Sequence, residues 1–175
     1  MAVLPILVAP HPILALKCRP VRDDEFGPAL AQILSDMAET MYAAPGVGLA
    51  APQIGDPRRF IVIDSQSGEE RGKHLYRMVN PEIVERGPQK INWNETCLSV
   101  PDIEVDVERD KRVLVRWREA DGAKREHWFE EYDAVIVQHE LDHLAGNVLL
   151  DKVSSFRRSR YLKKVKSRTL VAMDR

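Results

Sequence analysis

Residues Gln138-His139-Glu140-Leu141-Asp142-His143 constrain this chain more than any other stretch. They read as helix, and the two histidines are four positions apart. A helix then carries both imidazoles on one face, one turn apart, where they can grip a single metal ion. Glu140 follows the first histidine around the turn and can reach a water at that ion as a general base. The bland alternative is a pair of histidines hydrogen-bonded inside a core. Two histidines do not complete a catalytic centre, which needs a third protein ligand and one open position. The rest of the chain has to bring a donor to this helix.

With 175 residues, the chain is long enough for one catalytic domain, 1–175, with a sizeable core. The formal net charge of −1 provides no global attraction to nucleic acid or membrane. Neither a sequence-specific nucleic-acid partner nor a membrane partner is expected. No apolar run approaches the ~20 residues that cross a bilayer. The N-terminus is apolar but lacks a basic flank and is broken by Pro5, Pro10 and Pro12, so no secretory signal is expected and the cytoplasm is the expected location. The two cysteines, Cys18 and Cys97, are then expected as free thiols.

Residues 1–22 are proline-rich and read as extended chain. From about Asp24 to Ala43, Phe26, Leu30, Ile33, Leu34, Met37 and Met41 follow helical spacing, with Asp23 or Asp24 as N-cap and Pro28 in the first turn. Pro45-Gly46-Val47-Gly48 through Gly55 is a glycine-bearing segment preceded by a helix and interrupted by Pro52, which excludes a dinucleotide fingerprint. It reads either as a tight connection or as backbone that passes close to something. Strands are expected at Phe60–Ile63, Leu75–Val79, Ile83–Val84, Lys90–Trp93, Ile103–Val107 and Val113–Trp117, with a hairpin turn at Asp121-Gly122. The metal helix spans Glu130 to Ala145, capped by Gly146, and a final helix starts near Ser154 or Ser155 with Phe156, Leu162 and Val165 as its apolar marks. The expected fold is α+β: a mixed, mostly antiparallel sheet around a central metal-binding helix, with one helix before it and one after.

Cys97 is flanked by polar residues and followed by Pro101. A thiolate with two imidazoles makes a three-ligand site with a free fourth position. Spacing alone leaves Cys97 balanced between ligand and buried structural cysteine. Cys18 is the weaker candidate. His11, His74 and His127 have no partner at ligand spacing and read as surface or locally bonded histidines.

Three separated segments resemble one family, the peptide deformylases. Gly46-Val47-Gly48-Leu49-Ala50-Ala51-Pro52-Gln53 is similar to the family's G-x-G-L-A-A-x-Q, Glu95-Thr96-Cys97-Leu98-Ser99 to E-G-C-L-S, and Gln138–His143 to Q-H-E-x-D-H. Their order agrees too. Thr96 stands where the family usually has glycine, a change that bears on the peptide groove. The resemblance implies a metal held by Cys97, His139 and His143. It also implies Glu140 as acid–base, and the Gln53 amide with the Leu98 backbone N–H as donors to the oxygen of an attacked formyl group. The implied substrate is the formyl-methionyl terminus of nascent peptides. Gly46 and Gly48 would let an extended peptide lie alongside, and Val47, Val135 and Ile136 are candidates for the methionine pocket. The implied metal is Fe(II), with Zn, Ni or Co as substitutes.

Arg157 to Arg168 is strongly basic, within a terminal segment at 157–175. It reads either as a solvated helix face or as a docking surface for RNA-rich ribosome. Two other functions compete with deformylation. One is an H-E-x-x-H peptidase. The other is a deformylase-like protein that binds metal or peptide without turnover, for which Thr96 is the only support.

Overall fold

The structure is a computed structural model that describes residues 2–173, with side chains as far as Ser167. The last residue of the basic stretch, Arg168, and the tail behind it have side chains outside the described residues, as does Met1. Among the described residues there are three α-helices: α1 (Pro28–Ala43), α2 (Glu131–Leu144) and α3 (Ser155–Met173). The same residues form seven strands: β1 (Gly48–Ala50), β2 (Phe60–Ile63), β3 (Tyr76–Arg86), β4 (Lys90–Glu95), β5 (Val105–Asp110), β6 (Arg112–Arg118) and β7 (Lys124–Glu130). They form a five-stranded sheet in the order β1-β2-β3-β6-β7 and a two-stranded sheet, β4-β5. The fold is α+β, as expected. Every paired strand is antiparallel, and the parallel component is one isolated bridge, Arg19 to Arg58.

The short strand β2 explains why the large sheet is covered on both faces. All four of its residues are buried. Alternation sends Phe60 and Val62 into the core beneath α1, and Ile61 and Ile63 into the core beneath α2. Leu30, Leu34, Met37 and Met41 meet the first set from the apolar stripe of α1. Fully burying one such side chain contributes roughly 1.5–3 kcal/mol. A third core beneath α3 gathers Val100, Ile103, Val105, Val107 and Tyr161. Phe156, by contrast, points outward from α3.

Several boundaries differ from expectation, and two do so for identifiable reasons. Helix α1 starts at Pro28, because Gly27 adopts φ +127° and separates it from a 3-10 turn at Asp23–Glu25. Asp23, expected as a cap, pairs with Arg118 on β6. The two short strands expected at 75–79 and 83–84 are one strand, β3. Its register against β6 slips between Val79 and Glu82 and again between Ile83 and Glu85, and such bulges break the alternation a sequence reader relies on.

The small sheet is tied to the large one through Asp110, a buried residue of β5. Its carboxylate accepts from Arg86 of β3 and Lys90 of β4. Its backbone N–H and C=O are both bonded to the Gln138 side chain of α2. Helix α2 thus packs between both sheets. It ends where Gly146 turns left-handed (φ +82°), so close to the Ala15 carbonyl that a Cβ there would lie 2.8 Å from it.

Candidate metal centre and active-site cleft

One face of α2 carries Tyr132, Ile136, His139 and His143 at helical spacing. The strand β4 runs past this face, and its alternation turns Trp93 and Glu95 towards the helix. Cys97 follows two residues later in a turn closed by Val100 N–H to the Cys97 carbonyl, 3.0 Å. Cys97, His139 and His143 offer three ligand atoms that all lie within 4.8 Å of one another. The Sγ of Cys97 is 3.2 Å from Nε2 of His143. The structure therefore brings together the histidine pair and the cysteine that spacing alone left undecided.

The surroundings fit a metal. Nδ1 of His139 is 2.8 Å from the Glu95 carboxylate, which leaves Nε2 as its nitrogen for an ion. Glu95 is buried and receives a fork from Arg109, 2.6 and 2.9 Å, while Arg109 also donates to Asp142 at 2.8 Å. Burial pushes the Glu95 carboxyl upward, but Arg109 and His139 outweigh it and hold the pKa below the usual carboxylate range. Burial likewise opposes a charge on His139, yet its bonds to Cys97 and Glu95 raise its pKa well above the ordinary value. His143 is pushed well below, by burial first and then by His139 and Arg109. A soft sulfur with two nitrogens, one anchored by a carboxylate, is a donor set for a transition metal.

Glu140 is not among the clustered ligands. It lies buried beside β1, and burial pushes its pKa up to about 7. Its Oε2 is buried with no hydrogen-bond partner among the described residues. The neighbour is Gly48: a Cβ built there would overlap the Glu140 carboxylate, its carboxyl carbon 2.9 Å away. The bare backbone at Gly48 thus has a reason independent of any peptide. Gly46 has a similar one, because a Cβ there would lie 2.8 Å from Cδ1 of Leu98. The two walls of the cleft touch at this point.

Gln53 is buried, with its amide fixed at both ends. Oε1 accepts from Ala50 N–H at 2.7 Å, and Nε2 donates to Ser99 Oγ at 3.0 Å and faces Cys97 Sγ at 3.9 Å. The amide N–H is therefore aimed at the ligand cluster. A cleft of about 440 Å³ joins these groups. Gly46, Val47, Gly48, Leu98, Val135 and Ile136 all line it.

Sequence reasoning missed Trp93 and Tyr132, which stack 4.9 Å apart, 25° from parallel, and line the same cleft. The available signals were the period of two from Trp93 to Glu95 and the helical spacing from Tyr132 to His139. It also missed Arg109 and Ser99. Cys18 lies apart in the core under α2, and burial raises its thiol to about 11. His11, His74 and His127 are exposed, with His127 stacked on Tyr76. Thr96 is exposed on the cleft and is not among the residues with left-handed φ, so its backbone does not require glycine.

A cysteine and an H-E-x-x-H helix around a cleft with a buried carboxylate define a metallohydrolase-type site. Comparison with known proteins narrows it. The polypeptide deformylase pattern matches residues 3–159. The peptide deformylase of Phenylobacterium zucineum is 44% identical over 175 residues, covering 98% of this chain and all of that protein. The crystal structure of a Legionella pneumophila peptide deformylase superposes with a TM-score of 0.86 at 34% identity, covering 99% of both chains. A class I type b peptide deformylase from Acinetobacter baumannii, solved with Met-Ala-Ser bound, superposes at 0.80 with 36% identity, covering 87% of this chain and 99% of that one. This chain belongs to the peptide deformylase family.

Proposed function

We propose that the chain, acting as one catalytic domain over 1–175, removes the N-formyl group from the initiator methionine of nascent polypeptides and releases formate. The observation that carries this is the buried Glu140 carboxylate beside the Cys97, His139 and His143 cluster, with the Gln53 amide aimed at the same point. Cys97, His139 and His143 would hold the metal. When bound, it supplies a Lewis acid that acidifies water and polarises the formyl oxygen.

Glu140 takes a proton from the attacking water. Burial, which raises its pKa, suits it to hold that proton and return it to the leaving amine. The water oxygen bonds to the formyl carbon, the carbon–nitrogen bond breaks, and the amine leaves with the proton. As the formyl carbon becomes tetrahedral its oxygen gains negative charge, and Gln53 Nε2 and the Leu98 N–H donate to it. Removing one such donor lowers turnover by about 10²–10³. The methionine side chain sits against Val47, Val135 and Ile136, with the Trp93–Tyr132 stack as a further wall favourable to sulfur. Gly46 and Gly48 flank the extended peptide. The Met-Ala-Ser held by the Acinetobacter relative supports a peptide of this kind.

Ferrous iron is proposed as the native metal, with Zn, Ni or Co able to replace it. No described helix is long and apolar enough to cross a membrane, and the proposed location is the cytoplasm. The basic face of α3 is proposed to dock on the ribosome. Arg157, Arg158 and Lys164 are engaged with Glu104, Asp151 and Asp102, so Arg160, Lys163 and Lys166 are the charges to reverse in a ribosome-pelleting assay at low and high salt. Unchanged pelleting would remove the idea.

The test of the reaction is formate release from formyl-Met-Ala-Ser by protein purified without oxygen, with metal content measured in the same sample. Turnover tracking iron occupancy is the expected result. Full occupancy without turnover would sink the reading in favour of a binding-only protein.

A further inference from the structure

The connection from β2 to β3 leaves the large sheet and returns across the outside of Gly46. Asp64 fixes its base. This carboxylate is 1% exposed and accepts from Tyr42 Oη at 2.7 Å, Gly72 N–H at 2.6 Å and Gln66 N–H at 3.0 Å. The Asp64 N–H donates to the Val47 carbonyl at 2.8 Å, so the same residue also anchors the cleft segment. Within this frame the Arg71 guanidinium lies over the Tyr42 ring, 4.7 Å from its centroid, and Nη2 donates to the Gly46 carbonyl at 3.0 Å. Nε of Arg71 is buried and has no hydrogen-bond partner among the described residues. The group is held by a ring and one carbonyl.

That carbonyl sits where the two cleft walls meet. The Gly46 N–H is held by the Met41 carbonyl at 2.9 Å, and the Leu98 side chain leaves no room for a Cβ at Gly46. Arg71 fixes the other end of the residue. We propose that Arg71 is a positioning residue for peptide binding: by clamping Gly46 against Leu98 it fixes the width of the cleft without touching the reacting atoms. The proposal rests on the deformylase reading for its substrate and on the geometry of Gly46 for its mechanism. The competing role for Arg71 is to pin the loop, with no effect on the cleft.

The test compares Arg71→Met, which keeps bulk over Tyr42 but loses the donor, with Arg71→Lys, which keeps a charged donor. Lys73→Met in the same loop removes only the exposed pair with Glu70 and serves as control. Two readouts are taken on metal-loaded protein: steady-state kinetics on formyl-Met-Ala-Ser, and calorimetric titration with Met-Ala-Ser. Losing one charge-assisted hydrogen bond should raise both KM and the peptide Kd about tenfold in Arg71→Met. kcat should stay within about twofold, the signature of lost uniform binding. Arg71→Lys should recover most of the loss, and Lys73→Met should behave as the parent.

A lowered melting temperature with KM and Kd unchanged would overturn the proposal, as would a fall in kcat alone or a parent protein that does not bind Met-Ala-Ser. A parent that binds the peptide but releases no formate would refute the deformylase reading. The Kd comparison would then still decide the role of Arg71.

Discussion

The two halves of the catalytic cluster are positioned by different physics. His139, Glu140 and His143 sit on consecutive turns of α2, so their mutual geometry follows from the helix alone. Cys97 and Leu98 come from a turn and Gln53 from a short 3-10 helix, Ala51–Ile54, and their geometry depends on contacts made elsewhere: Gln53 with Ala50 and Ser99, Leu98 with Gly46. The helical half is rigid by local hydrogen bonding. The loop half is only as well placed as the glycines, amides and ion pairs beneath it. Loss of a ligand or of Glu140 should therefore remove chemistry outright, whereas changes in the contacts beneath the loop half should act by displacement.

The largest effect expected is on the helix. Glu140→Gln should lower kcat by about 10³ while leaving the metal content unchanged, since it removes acid–base work and no ligand. Metal analysis beside formate release checks this, and substantial residual turnover would remove Glu140 from the role. Gly48→Ala tests the opposite wall. The added methyl must displace the Glu140 carboxylate, and a shift of about 1 Å in such a group costs about 10²-fold in kcat. If this variant turned over like the parent, the close fit between Gly48 and Glu140 would have no catalytic meaning.

Glu95→Gln spans the two halves, because Glu95 lies on β4 and holds His139 of α2. Metal affinity should fall about 10–100-fold, measured by competition with a chelator, with the fold intact. The smallest effect is expected at Asp110, the tie between the sheets. Asp110→Asn should destabilise by about 1 kcal/mol at pH 7, since its partners Arg86 and Lys90 are half in solvent. Although burial opposes the charge, the two cations hold the Asp110 pKa below its ordinary value. Its contribution is then complete above the unfolded carboxylate pKa and is lost as pH falls through the folded one. Urea unfolding of parent and variant should differ at neutral pH and converge in strong acid.

The same division governs what could be read from the chain. The helical half was legible because a spacing of four has one meaning on a helix. So were the α1 stripe and the turn at Gly122, which rest on local periodicity and φ. Cys97 reads equally as ligand or structural cysteine, since nothing within a few residues says that α2 lies opposite. Arg109 lies opposite Ile91 in the β4–β5 register and reaches Glu95 only by its side chain, and Trp93 meets Tyr132 through the packing of β4 on α2. Both are tertiary facts without a local trace. Asp23 failed as a cap because an arginine 95 positions away competes for it.

The contrast between the two cysteines bears on how such a protein ages in air. The thiol of Cys18 is buried and its pKa is lifted to about 11, so it forms little thiolate near neutrality. Cys97 is buried too, but it lines the cleft rather than the closed core. Of the two described thiols, the one that a reagent in the cleft can reach is a proposed metal ligand. Loss of activity on storage should track modification at a single position, and intact-mass measurements should show one adduct per inactivated molecule.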